Sequence, residues 1–133
     1  MLRHADWPER LADFIEARRH LPFAWGRQDC ATFAADALQA LTGQDPLAPL
    51  RGQWATEEQA QQVLQRLGGL PRAVRSVLGR PLPIRTIAPR GAVVCARMAG
   101  TAILGVHLGA TWCAPGAQGL VFRQTSEVHL AWV

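Results

Sequence analysis

The chain has 133 residues, which is enough for one domain and too few for two domains that each bury a core. Hydrophobic residues make up 49% and charged residues 18%, a balance that excludes an intrinsically disordered chain. The net charge of +4 comes from arginines without any lysine, and because these are scattered rather than grouped into a basic patch, binding to DNA or RNA is not expected.

The remaining bulk features predict a protein made in the cytoplasm that uses no cofactor. No apolar run approaches the ~20 residues that a membrane-spanning helix needs, and the first ten residues, MLRHADWPER, lack the apolar stretch of a secretory signal. The three cysteines form no CxxC pair, so neither a disulfide framework nor a metal site is indicated.

The first two helices are predicted from caps and helical spacing. Asp6 and Pro8 mark the beginning of the first helix, which we expect to end near His20. Asp29 is the expected N-cap of a second helix that spans residues 30–41 and is followed by Gly43. The small residues of this second helix permit close packing from several sides, as in a helix at the centre of a domain.

The rest of the chain changes from helical to strand periodicity. Thr56 is the expected cap of a third helix that ends at Gly68, and Leu70 to Leu78 form a short fourth helix before a proline-containing stretch. Four β-branched or aromatic runs follow, separated by glycine-containing turns: GAVVCARM, TAILGVHLGATW, GLVFRQT and VHLAWV. The pattern predicts a single α+β domain over residues 1–133, with a helical half in 1–80 and an antiparallel sheet in 91–133.

The sequence allows two interpretations of Cys30. It lies at the predicted N-terminus of the second helix, where the helix dipole favours a thiolate and thus a nucleophile. A cysteine in such a helix is also commonly a small, buried apolar residue.

The segment WGRQDCATF resembles the nucleophile motif of NlpC-type cysteine peptidases, which has the general form WGG-x-D-C-SG-F. The resemblance implies a papain-like fold in which the cysteine-bearing central helix packs on a C-terminal antiparallel sheet. It places the nucleophile on Cys30 and assigns flanking binding positions to Trp25 and Asp29. The chain departs from the motif at Arg27, which replaces the second glycine, and at Ala31 and Thr32, which replace the Ser-Gly pair.

A cysteine nucleophile needs a base, and His107 is the best candidate because it lies in a predicted sheet strand. The family strand begins His-Val-Gly-Ile-Tyr-Leu-Gly, and ILGVHLG superposes its glycines only with Ile103 at the histidine position. His107 then lies about 13 Å further along the strand. Arg90 and Ala92 replace the proline and aspartate of the family's Pro-Gly-Asp, and Gln124 and His129 are the polar residues left to orient a base.

Two functions follow from these residues. The chain also resembles a family of short phage and prophage tail-module proteins that carry a WGRxDC-type motif, which implies a virion component of the tail tip that binds other tail-tip proteins. In that hypothesis the peptidase-like site is degenerate. The alternative is an active cysteine peptidase or amidase that cleaves peptidoglycan peptides through Cys30.

Overall fold

The computed structural model describes residues 1–83 and 87–133, and within them all the α-helices precede all the strands. The helices are α1 (Trp7–Arg18), α2 (Cys30–Thr42), α3 (Glu57–Leu67) and α4 (Leu70–Leu78). The strands are β1 (Val93–Met98), β2 (Thr101–His107), β3 (Thr111–Gly116), β4 (Gly119–Gln124) and β5 (Val128–Trp132), with a 3-10 turn at Thr125–Glu127. The α+β class predicted from the sequence is confirmed.

The five strands form one antiparallel sheet in the order β4-β3-β2-β1-β5. The predicted run TAILGVHLGATW is two strands rather than one, because the chain turns between His107 and Thr111, where the amide of Leu108 donates to the carbonyl of Thr111. β4 and β5 are therefore the edges, and β2 lies at the centre.

Helix α2 lies on one face of this sheet. Phe33 and Leu41 pack with Val106, whereas Ala34 and Leu38 on the same helix pack with other sheet residues in a second cluster. The partners in that second cluster include Val93, Cys95, Leu104 and Trp132. Cys30 therefore lies in the first turn of a largely buried helix that packs on the sheet, as the sequence predicts.

The opposite face of the sheet carries a core cluster without any helical residue among those described. Its buried members are Val94, Ala96, Trp112, Ala114 and Ala131. Leu82 and Ala88, from the segment between α4 and β1, pack against it. Residues 84–86 of this proline-containing segment lie outside the described residues.

The predicted cap of α1 is wrong in detail. Asp6 occupies the N-cap position, but its carboxylate pairs with Arg10 at 2.7 Å and makes no cap hydrogen bond. Pro8, in the first turn, has no N–H to donate a hydrogen bond to the carboxylate. The helix also ends at Arg18, two residues before the expected His20.

None of the helices in residues 1–83 and 87–133 combines the length and the apolar character that crossing a membrane requires.

Candidate functional site

The carboxylate of Asp29 determines the local structure in front of Cys30. One oxygen accepts from the amide and the hydroxyl of Thr32, at 2.8 and 3.0 Å, and the backbone amide of Asp29 donates to the Thr32 hydroxyl. The other oxygen accepts from the amide of Gly26 at 2.8 Å and from Nε1 of Trp54 at 2.7 Å. Asp29 is buried with four donors on its two oxygens, so its role is to cap α2 and it has no free lone pair directed at a ligand.

Gly26 is required by this arrangement. Its φ of +78° lies in the left-handed region, and a Cβ at this position would lie 2.4 Å from the carbonyl oxygen of Trp54. The glycine of the WGRQDC segment thus allows the loop before α2 to contact the loop before α3. Trp54, which lies outside the WGRQDC segment, is the partner of both Gly26 and Asp29.

A second polar network fixes the loop and α2 against neighbouring elements. Asp36 on α2 pairs with Arg18 at 2.9 Å and with Arg51 at 2.5 Å, and Arg51 also pairs with Asp45 at 2.6 Å. Arg18 donates to the side-chain oxygen of the buried Gln28 at 2.8 Å. The motif segment is held on both sides and is preorganised.

Cys30 is partly exposed, and the burial of its thiol dominates its pKa. Burial raises the pKa of the Cys30 thiol to about 11, and the negative charge of Asp29 acts in the same direction. A hydrogen bond from the backbone of Leu104 lowers this pKa, but by less than burial raises it. A pKa in this range corresponds to a protonated thiol at neutral pH.

A cavity of about 260 Å³ opens beside Cys30. Trp25, whose side chain is 38% exposed, lies on its rim, and Ile103 forms part of its wall. The position that the resemblance assigns to the histidine therefore carries an isoleucine. Ile103 lines this cavity, and it also packs with the cluster on the sheet face opposite α2. The other wall residues are mostly apolar and include Phe23, Trp54, Leu64, Leu70, Ala102 and Pro115.

His107 lies on the other face of the sheet from Cys30. Its strand neighbour Val106 packs among helical residues, and because side chains alternate along a strand, His107 faces away from α2. It lines a separate cavity with Leu82, Ala88 and His129. Its Nδ1 accepts from the amide of Gly109 at 3.2 Å, and burial lowers the pKa of the imidazole.

The structure therefore does not bring the two candidate catalytic residues together. No histidine of the described chain lines the cavity that contains Cys30. Gln124 and His129 lie outside it as well, Ala92 is fully buried, and Arg90 stacks on Trp7. The parts of the chain that the structure describes contain no group of three or more His, Cys, Asp or Glu side chains arranged to hold a metal ion.

Comparison with known proteins places the chain in a family. No curated protein matches the sequence. Residues 2–133 match the family described as "Domain of unknown function (DUF6950)", and the chain, matched over nearly its whole length, belongs to that family.

Proposed function

We propose that the protein is a phage or prophage tail component, acting in the tail tip or its assembly, with a papain-like, NlpC-type fold whose peptidase site is degenerate. The resemblance of the WGRQDC segment supports the fold, and the position of Cys30 at the N-terminus of α2, on an antiparallel sheet, is consistent with it. The resemblance to tail-module proteins supports the tail.

The environment of Cys30 supports the proposed lack of hydrolysis. Cys30 has a pKa raised to about 11, and the cavity beside it contains no imidazole among the described residues. At neutral pH such a thiol is almost entirely protonated, and among the described residues no imidazole lies beside it to take its proton and return it to a leaving amine. The protein then acts by binding neighbouring tail proteins rather than by cutting a substrate.

The alternative is a cysteine peptidase or amidase that acts on peptidoglycan peptides. It is favoured by the partial exposure of Cys30 and by the cavity beside it, which could admit a peptide carbonyl. This function would require a base from another source, either a rearranged His107 or a partner protein.

The test is a comparison of the wild-type protein with Cys30→Ser. Both should leave purified peptidoglycan uncut, and phage carrying the serine variant should assemble tails and infect at wild-type titre. Release of muropeptides by the wild type but not by Cys30→Ser would establish the hydrolase instead.

A further inference from the structure

Strands β2 and β3 separate next to Cys30. They pair only at Val106↔Cys113 and His107↔Trp112, although β2 begins at Thr101 and β3 continues to Gly116. Continuing the register would place Pro115 opposite Leu104, and a proline has no N–H to donate. The cavity beside Cys30 occupies this gap, because its walls include residues from both strands.

The separation leaves the backbone of Ala102 without a strand partner on the cavity side. The amide of His107 donates to Ala92, which precedes β1, and backbone groups alternate in direction along a strand. The N–H and C=O of Ala102, five residues earlier, therefore point away from β1 and towards the gap. A neighbouring donor and acceptor on one strand residue are the groups that an added strand recognises.

The wall of the cavity selects against negative charge. Its carboxylates belong to Asp29, whose two oxygens already accept four hydrogen bonds, and to Glu57, which is exposed at the start of α3. No arginine or histidine of the described residues lines it. An anionic ligand group would be desolvated there without a cation to pair with, whereas an aliphatic side chain would contact Trp25, Leu64 and Leu70.

From these features we infer that the cavity beside Cys30 binds an extended, apolar peptide segment of a partner protein, without acidic side chains, which pairs with the backbone of Ala102. This inference rests on the proposed binding function and names its ligand class. The segment binds without being cleaved, and Cys30 forms part of the floor under its side chains.

The probe is a blocked hexapeptide, acetyl-SVTLSV-amide, titrated into the full-length protein and followed by amide NMR. Binding should slow hydrogen exchange of the Ala102 amide and reduce alkylation of Cys30. N-methylation removes one backbone N–H, and the N–H groups of adjacent strand residues point to opposite edges of the strand. Of two peptides N-methylated at adjacent central residues, the one that loses the N–H facing β2 should bind at least about tenfold more weakly, and the other should keep its affinity. A peptide with Glu in place of Leu should also bind at least about tenfold more weakly.

A matched pair of variants locates the site. Trp25 and Phe122 are 38% and 37% exposed, but only Trp25 lines this cavity. Trp25→Ser should weaken peptide binding about tenfold, and Phe122→Ser should leave it within about twofold.

Three results would overturn the inference. They are equal binding by the two N-methylated peptides, equal loss in the two serine variants, and no saturable binding up to about 1 mM. Cleavage of the peptide, detected by mass spectrometry, would instead contradict the proposed lack of hydrolysis and leave the strand pairing standing.

Discussion

The indole of Trp54 donates a hydrogen bond of 2.7 Å to the carboxylate of Asp29, although the two residues are 25 positions apart. This bond joins the loop before α3 to the N-terminus of α2. It also fills the last acceptor position of a buried carboxylate whose other partners are Gly26 and Thr32. The geometry around Cys30 thus depends on a residue outside the WGRQDC segment.

Replacing Trp54 by phenylalanine should destabilise the protein. The ring is largely retained, but a buried carboxylate oxygen loses its donor, which costs about 1–3 kcal/mol of unfolding free energy. Urea denaturation measures this cost. Trp25→Phe is the control, because Trp25 is exposed and makes no hydrogen bond in the described structure, and it should change stability by less than about 0.5 kcal/mol. Equal effects of the two variants would contradict the role of the indole N–H.

Gly26→Ala should destabilise the protein more than Gly52→Ala. Both glycines have a positive φ, +78° and +83°, so alanine is strained at either position by about 1–2 kcal/mol. Only at Gly26 does the new Cβ meet a backbone atom, the Trp54 carbonyl oxygen at 2.4 Å, whereas nothing lies within 4 Å at Gly52. The difference between the unfolding free energies of the Gly26→Ala and Gly52→Ala variants measures the clash. A difference of zero would show that the loop before α2 does not contact the loop before α3.

Stability should fall on acidification through His107. Burial lowers the pKa of this imidazole in the folded protein, so as the pH falls through the unfolded value of ~6.5 the unfolded chain binds a proton that the folded chain does not. The unfolding free energy therefore decreases from about pH 7 downwards and levels off below the folded pKa.

His107→Gln should reduce this pH dependence, measured by urea denaturation at several pH values. The pKa of His129 is also lowered, by burial and by Arg97. His129→Gln should therefore remove a separate part of the pH dependence of the unfolding free energy, and the double variant should remove more of it than either single variant. An unchanged slope in His107→Gln would show that His107 titrates alike in both states.

The helical half could be predicted because its signals are local. Asp29, Gly43 and Thr56 mark helix ends through caps within a few residues, and each occupies the predicted position. The face on which His107 lies could not be predicted, because it depends on the pairing of β2 with β1 and on the packing of α2 across the sheet. The bond between Asp29 and Trp54 has no sequence signal, since nothing in the spacing of the two residues indicates a contact.

Cys30→Ser should leave the fold intact. Serine is close to cysteine in size and can hydrogen-bond at a helix start, so the loss should not exceed about 1–2 kcal/mol. Thermal unfolding measures the change, with Cys113→Ser as the comparison, because Cys113 is fully buried in the core and a hydroxyl there would be desolvated. A larger loss in Cys30→Ser than in Cys113→Ser would show that Cys30 is a core residue rather than part of an accessible cavity wall.

The most direct test of the degenerate site is the pH dependence of Cys30 alkylation by iodoacetamide, with the modified residue identified by peptide mapping. Burial raises the pKa of Cys30 to about 11, and His107 lies on the other face of the sheet. The rate should therefore increase about tenfold per pH unit from neutral pH towards about 11, without a plateau near neutral pH, and His107→Ala should not change the profile. Rapid alkylation near neutral pH that His107→Ala abolishes would contradict this account, because it would require an imidazole paired with the Cys30 thiolate.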